Sequence, residues 1–311
     1  MVRIAVVGAS GLIGGALARA LLARGDEVVA VSRSGATGIE GVEDVRWDPA
    51  EGSPPPPAVT DVVDAVVNLA GAPLAEGRLT AERKRLIRES RVQTTTLLAR
   101  VMGGQGAPQT LINGSAVGYY GVEHGDEELR EDAAPGDDFL GRTCVAWEEA
   151  TAGAARRGAR VVLVRTGLVL DPDAGLLPRL VTATRLMAGG PLGGGRQWMP
   201  WIHIDDEVAA LLRAIDDDTI AGPLNACAPN PVRQREFART LGRVLGRPAV
   251  LPAPAIALRL AMGEMSTLAL DGQRAVPGVL SAAHGFSFRY PELEAALRAA
   301  LGREEEDAGE E

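Results

Sequence analysis

Three glycines near the start of the chain are spaced for phosphate chemistry. The stretch "GASGLIG" places them at Gly8, Gly11 and Gly14, after the strand-like run "VRIAVVGA" and before the helix-like "LIGGALARALLARG". Without side chains, glycines let the main chain come close to a pyrophosphate. The helix start then offers N–H groups and the positive end of its dipole. The next strand ends in "VSRSG", so Ser32, Arg33 and Ser34 stand where an acidic residue would hold a ribose 2′-hydroxyl. A guanidinium flanked by hydroxyls suits a 2′-phosphate instead. The cofactor implied is NADP, as NADPH, in preference to NAD.

Groups able to move a proton are few. Lys84 is the only lysine; the tyrosines are Tyr119, Tyr120 and Tyr290, and the histidines His124, His203 and His284. Lys84 sits in "TAERKRLIRESR", which reads as a solvated helix face. His203 in "WIHIDD" reads as structural, bonded to a nearby loop. Cys144 and Cys227 have no CxxC spacing, so neither a disulfide framework nor a metal site is expected. Arg196, Gln197 and Trp198, in the glycine-rich "AGGPLGGGRQW", could form a substrate-facing edge.

These residues need a scaffold. "EVVAVSR", "DAVVNLAGA", "TLINGSAV" and "ARVVLVRTG" are apolar runs separated by helical patterns. Strand and helix alternating over about the first 170 residues predict an α/β fold, a doubly wound parallel (Rossmann) sheet. "GSPPPPAV" reads as a surface loop, because consecutive prolines cannot continue a central strand or helix. "IDDEVAALLRAI" is expected to be a helix with an aspartate N-cap, and "VRQREFARTLGRVLGRP" another helix. The expected organisation is an NAD(P)-binding domain over 1–250 with substrate-facing insertions from about 170, a smaller C-terminal lobe over 251–302, and an acidic tail over 303–311.

Composition narrows the function classes. The chain has 311 residues, 46% of them hydrophobic, enough for a sizeable core. No apolar run approaches the ~18–20 residues of a membrane span. A net charge of −9 argues against nucleic-acid binding. The chain opens in a strand-like segment and not a signal sequence. A cytoplasmic protein acting on a small molecule, with no nucleic-acid or membrane partner, is the expectation; oligomeric state is not legible.

Several segments together carry a family resemblance. "GASGLIG", "NLAGA" (68–72), "GSAVGYYG" (114–121), "RTGLVL" (165–170) and "WIHIDDEVAA" (201–210) follow the order of extended short-chain dehydrogenase/reductases. "WDP" (47–49), "SRVQTT" (90–95), "GEM" (263–265) and "GQR" (272–274) resemble the atypical "epimerase family protein" branch, with its small C-terminal domain of unknown function. The resemblance implies that Gly8, Ser10, Gly11, Leu12 and Ile13 line the pyrophosphate. It places Asp48 near the adenine, and Leu69, Ala70 and Gly71 under the adenosine ribose. Ser115 would end its strand beside the nicotinamide, and Thr166, Gly167 and Leu168 would pack near the carboxamide.

The departures from that family matter as much. Its helix carries a Tyr-x-x-x-Lys pair, the acid and the lysine that lowers its pKa and holds the ribose. In "DFLGRTCVAWEEA" the tyrosine falls on Leu140 and the lysine on Cys144, which reads as a small buried hydrophobe. Glu148 matches the family; an asparagine of the preceding helix falls on Arg91. Reduction of a carbonyl by hydride needs a proton donor near the forming alkoxide. Ser115 and one of Tyr119 or Tyr120 are the candidates left. The functional expectation is an epimerase-like NADP(H) oxidoreductase acting on a small carbonyl, alcohol or nucleotide sugar without the usual pair. The alternative is a non-catalytic NADP(H)-binding or sensing protein.

Overall fold

The computed structural model describes residues 1–74, 77–122, 124–283 and 285–303. Of the acidic tail, 304–311 lie outside the described residues. In chain order the first half contains β1 (Arg3–Val7), α1 (Leu12–Arg24), β2 (Glu27–Ser32), β3 (Glu43–Arg46), α2 (Pro57–Thr60), β4 (Ala65–Asn68), α3 (Ala81–Ala99), β5 (Thr110–Ala116), β6 (Glu128–Leu129), α4 (Phe139–Glu149), α5 (Ala152–Arg156) and β7 (Arg160–Thr166). There follow β8 (Leu168–Leu170), α6 (Leu177–Arg185), β9 (Trp198–Met199), β10 (Trp201–His203), α7 (Ile204–Asp216), β11 (Gly222–Ala226), β12 (Val232–Arg233), α8 (Gln234–Leu245), α9 (Ala255–Met262), α10 (Thr267–Leu270), β13 (Arg274–Ala275) and α11 (Leu293–Ala300).

The main sheet has seven strands in the order β11-β7-β5-β4-β1-β2-β3, and the pairs β1–β2, β1–β4, β2–β3 and β4–β5 run parallel. This is the doubly wound arrangement the alternating pattern predicts, with the order reversing between β1 and β4. β1, β2 and β4 are almost wholly apolar because both faces of a parallel sheet are covered. Gly25 closes α1 as expected, in the left-handed conformation (φ 88°).

The chain divides into two compact units: unit 1 comprises 1–119, 134–165 and 208–224; unit 2 comprises 120–133, 166–207 and 225–311. Unit 1 is built on the strands β1 to β5 with β7 and most of β11. In unit 2 an apolar cluster gathers Leu170, Leu177, Trp201, Phe237, Leu241 and Leu297 from β8, α6, β10, α8 and α11, with Tyr290 from the segment before α11.

Two local expectations are corrected. The proline run is not wholly loop: its last member opens α2, where a missing N–H costs nothing, and Val59 is buried. No aspartate caps α7. The helix starts directly after His203, whose Nδ1 accepts the N–H of Asp205 at 3.2 Å. The Asp206 carboxylate instead accepts the N–H groups of Arg289 and Tyr290 at 2.7 and 2.9 Å.

Candidate functional site

The glycine loop leaves β1 with Gly8 at φ 89°, a conformation that disfavours a side chain. The N–H groups of Gly8 and Ala9 donate to Val31 O at 2.9 and 3.3 Å, which ties the loop to β2. A Cβ on Gly8 would come within 3.0 Å of the Leu69–Ala70 backbone, and one on Gly14 within 2.4 Å of Gly8 O. Gly11 is the N-cap of α1 and no side chain caps the helix; Ser10, Leu12 and Ile13 flank it, Ser10 exposed. The close approach is therefore built in, and the helix start is left for an anion. This cradle fits a dinucleotide pyrophosphate.

At the end of β2, Ser32 Oγ accepts the N–H of Gly35 at 3.1 Å and lies 3.3 Å from Ser34 Oγ. Ser34 donates to Ala36 O at 3.0 Å. The two hydroxyls shape the turn that leaves Arg33 exposed. Asp48 accepts the N–H of Ala50 at 3.0 Å and so caps its own short turn. Leu69, Ala70 and Gly71 follow β4 and pass beside Gly8; the Leu69 N–H donates to Val7 O at 2.8 Å.

Arg91 of α3 lies against the same loop. Its Nη1 donates to Ala72 O and Ile87 O, both at 3.0 Å, and a Cβ on Gly71 would stand 3.0 Å from its Cζ. Its guanidinium sits 5.0 Å from the Trp147 ring. Burial pulls its pKa down, and the neighbouring Cys144 pushes it back up. Sequence reading registered Arg91 only as a departure. Two departures one helix apart, a cation gained on α3 and a lysine lost on α4, were the available signal.

Ser115, next to last in β5, donates its hydroxyl to Glu148 Oε1 at 2.7 Å. Arg165 grips both Glu148 oxygens at 2.9 Å and lies 3.4 Å over the Tyr119 ring. Ser115, Glu148 and Arg165 are all buried. Cys144, on α4 one turn before Glu148, is buried and its thiol is pushed up to about 12, chiefly by desolvation and by the Glu148 charge. The thiol therefore stays protonated near neutral pH and is no thiolate nucleophile, in keeping with the reading of a small buried hydrophobe. Leu140 faces Gly118, whose Cβ would stand 3.4 Å from the Leu140 Cβ.

The remaining expected residues, Lys84 apart, lie in unit 2. Tyr120 is fully buried and its hydroxyl donates to Asn225 Oδ1 at 2.6 Å, while Asn225 Nδ2 donates to Leu129 O and Val276 O. Thr166 Oγ1 donates to Glu207 Oε1 at 2.8 Å; the N–H groups of Gly167 and Leu168 donate to Ala226 O and Pro200 O. Arg233 stacks on Trp198 at 4.0 Å, and both bond Asp126, which those bonds hold below the usual carboxylate range. Gln197 donates to Leu192 O and Ala269 O. Lys84 stands 5.3 Å over the Phe139 ring. Among the described residues no group of three or more His, Cys, Asp or Glu could hold a metal ion, and no helix is long and apolar enough to cross a membrane.

Thus unit 1 brings together the phosphate loop, the Arg33 turn, the Leu69–Gly71 segment, Arg91 and the Ser115 end of β5. Comparison with known proteins gives this assembly a family. Residues 4–226 match the NAD dependent epimerase/dehydratase family. The chain belongs to that family. Residues 253–300 match a domain of unknown function, DUF1731, so this family member belongs to the branch that carries it. "Epimerase family protein Mb2239" of Mycobacterium bovis is 42% identical over 301 residues, covering 96% of this chain and 98% of the relative. The chloroplastic "Epimerase family protein SDR39U1 homolog" of Arabidopsis thaliana is 36% identical over 313 residues, covering 96% and 86%. Among solved structures, human epimerase family protein SDR39U1 (isoform 2) with NADPH has a TM-score of 0.85 at 34% identity, covering 96% of this family member and 99% of that chain. The nucleoside-diphosphate sugar epimerase of Corynebacterium glutamicum has a TM-score of 0.80 at 36% identity, covering 99% and 59%.

Proposed function

We propose that this chain binds NADPH in unit 1 and acts as an oxidoreductase on a small carbonyl, alcohol or nucleotide-sugar substrate. The observation that carries this is the glycine cradle with Arg33, and no carboxylate, presented at the end of β2. The NADPH bound in the human relative supports it. When bound, the nicotinamide would supply the hydride; the chain supplies position and charge. Gly8, Ser10, Gly11, Leu12, Ile13 and Gly14 hold the pyrophosphate, and Ser32, Arg33 and Ser34 the 2′-phosphate end. Asp48 and Leu69–Gly71 border the adenosine. Arg91 delivers from α3 a positive charge like that of the absent lysine. We assign the cofactor domain to 1–250 and the small lobe to 251–302, which contains the second family match.

The second reading, binding or sensing without turnover, has its own support. Ser115 donates to Glu148 and Tyr120 to Asn225, so two of the three candidate donors are engaged inside the protein. One experiment separates the readings. NADPH and NADH are titrated by isothermal calorimetry, then NADPH oxidation is followed with a panel of aldehydes, ketones and nucleotide sugars. Preference for NADPH with turnover of any member supports the first reading. Binding without turnover across the panel favours the second, and equal affinities would sink the NADP assignment.

A further inference from the structure

Arg91 is a cation without a counter-charge among the described residues. Its Nη1 donates to Ala72 O and Ile87 O, both at 3.0 Å. The N–H groups of Nε and Nη2 have no partner among the described residues. Of the two ionisable neighbours that act on it, Arg83 repels the charge, and Cys144 would support it only as a thiolate, which burial prevents near neutral pH. The side chain is half-buried, and desolvation is the main influence on it. A cation drawn out of water is normally paired, because an unpaired one destabilises the fold. The chain carries 41 acidic residues, yet none of those described is set against Arg91.

The surroundings hold the guanidinium in place beside the phosphate loop. Ser90 Oγ accepts the Ala72 N–H at 3.0 Å, so two consecutive residues of α3 clamp the segment after β4. Trp147, 5.0 Å from the guanidinium, is itself fixed by its indole N–H on Thr95 Oγ1 at 3.0 Å. Gly71 leaves room for the arginine, since a Cβ there would stand 3.0 Å from Arg91 Cζ. The preceding residue, Ala70, touches the glycine cradle: a Cβ on Gly8 would stand 3.0 Å from its nitrogen. Arg91 thus lies one residue along this segment from the pyrophosphate turn. We propose that Arg91 is a second anion site of unit 1, taking two oxygens of a phosphate or carboxylate group on Nε and Nη2. That edge of a guanidinium matches such a group in a fork of two parallel bonds. Neutral ribose hydroxyls would not cancel the charge. The anionic oxygens have two sources, the pyrophosphate of the cofactor or an acidic group on the substrate. The first rests on the reading of unit 1 as the NADPH site; the Arg91 site itself does not.

Isothermal calorimetry on the full chain compares wild type, Arg91→Gln and Arg88→Gln, a control that loses the same charge from an exposed position on the same helix. The probes are NADPH, NADH and, on protein saturated with NADPH, inorganic phosphate. If the anion is the pyrophosphate, Arg91→Gln weakens both dinucleotides alike, roughly tenfold or more, and leaves their ratio unchanged, whereas loss of Arg33 changes the ratio. If the anion belongs to the substrate, the variant keeps its NADPH affinity, and phosphate binds saturated wild type and control but not Arg91→Gln. Unchanged dinucleotide affinities, together with phosphate binding that is absent or equal in wild type and variant, overturn the proposal. Should wild type bind neither dinucleotide, the cofactor reading fails by itself and inorganic pyrophosphate on the empty chain decides. Binding lost in Arg91→Gln then supports the site; binding absent or unchanged overturns it. If Arg91→Gln does not fold, phenylglyoxal labelling of wild type followed by peptide mass mapping takes its place. Shielding of Arg91 by NADPH or phosphate supports the site, and equal labelling with and without them overturns it.

Discussion

Thr166 Oγ1 donates to Glu207 Oε1 at 2.8 Å, and the other carboxyl oxygen of Glu207, Oε2, is buried with no hydrogen-bond partner. Desolvation pushes this carboxyl from 4.5 up to about 8, against the smaller opposing effect of the Thr166 bond. Near neutral pH the folded chain therefore holds a proton that the unfolded chain releases. Stability linked to Glu207 is fully present below about 4.5 and is lost as pH rises toward about 8. The slope is at most ~1.4 kcal/mol per pH unit. Glu207→Gln keeps the shape and removes the titration. Urea unfolding from pH 5 to pH 8 should show a steeper loss in wild type than in the variant, and identical slopes would refute the assignment.

The Glu148–Arg165 pair makes an opposite kind of demand. Both groups are buried and joined by two 2.9 Å bonds, so removing one charge leaves the other desolvated. Glu148→Gln should destabilise unit 1 by about 3–5 kcal/mol. A change below ~1 kcal/mol in denaturant titration would mean that water reaches the pair.

Arg33 decides between the cofactors if it meets the 2′-phosphate. A charge-assisted bond contributes roughly 1.5–3 kcal/mol, so Arg33→Ala should reduce the preference for NADPH over NADH tenfold or more. Calorimetric titration of both cofactors against both proteins measures that ratio. An unchanged ratio assigns the arginine to solvent.

Gly11 separates binding from folding. A Cβ there meets only Gly8 O, at 3.2 Å, and φ is an ordinary −83°, so Gly11→Val should fold. Its branched side chain would occupy the space of the pyrophosphate. NADPH affinity should fall at least a hundredfold with little change in melting temperature. Normal binding by the folded variant would move the cofactor elsewhere.

The two neighbouring tyrosines should behave differently. Tyr120→Phe leaves the Asn225 Oδ1 acceptor without its donor in a buried place and should cost about 1–3 kcal/mol of stability. Tyr119→Phe keeps the ring against Arg165 and deletes only the hydroxyl. If either hydroxyl is the acid, its loss lowers turnover about 10²–10⁴-fold in addition. Full turnover in both variants excludes them as donors.

The fold was legible because its signals are local and repeated. Apolar runs marked the strands, and Gly8, Gly11 and Gly14 marked the one turn that must come close to a ligand. The absence of Tyr-x-x-x-Lys was equally plain at Leu140 and Cys144. The partners of the remaining polar candidates were not, because they depend on long-range packing. Ser115 meets Glu148 across 33 residues, Tyr120 meets Asn225 across 105, and Thr166 meets Glu207 across 41. Glu207 itself sits in an acidic run that reads as a helix start with an aspartate N-cap. Its full burial beside Thr166 makes it an interior acid.

The chain passes between its two units five times, after Tyr119, Ala133, Arg165, Glu207 and Leu224. Synthesis at ~5–20 residues per second usually lets an N-terminal domain fold before the rest emerges. Here that order is closed off. Unit 1 lacks its last strand, β11, until about residue 226 has left the ribosome, by which time the first two segments of unit 2 are already made. A nascent chain arrested before that point should bare the edge of β7, an invitation to strand pairing with a neighbour on the same message.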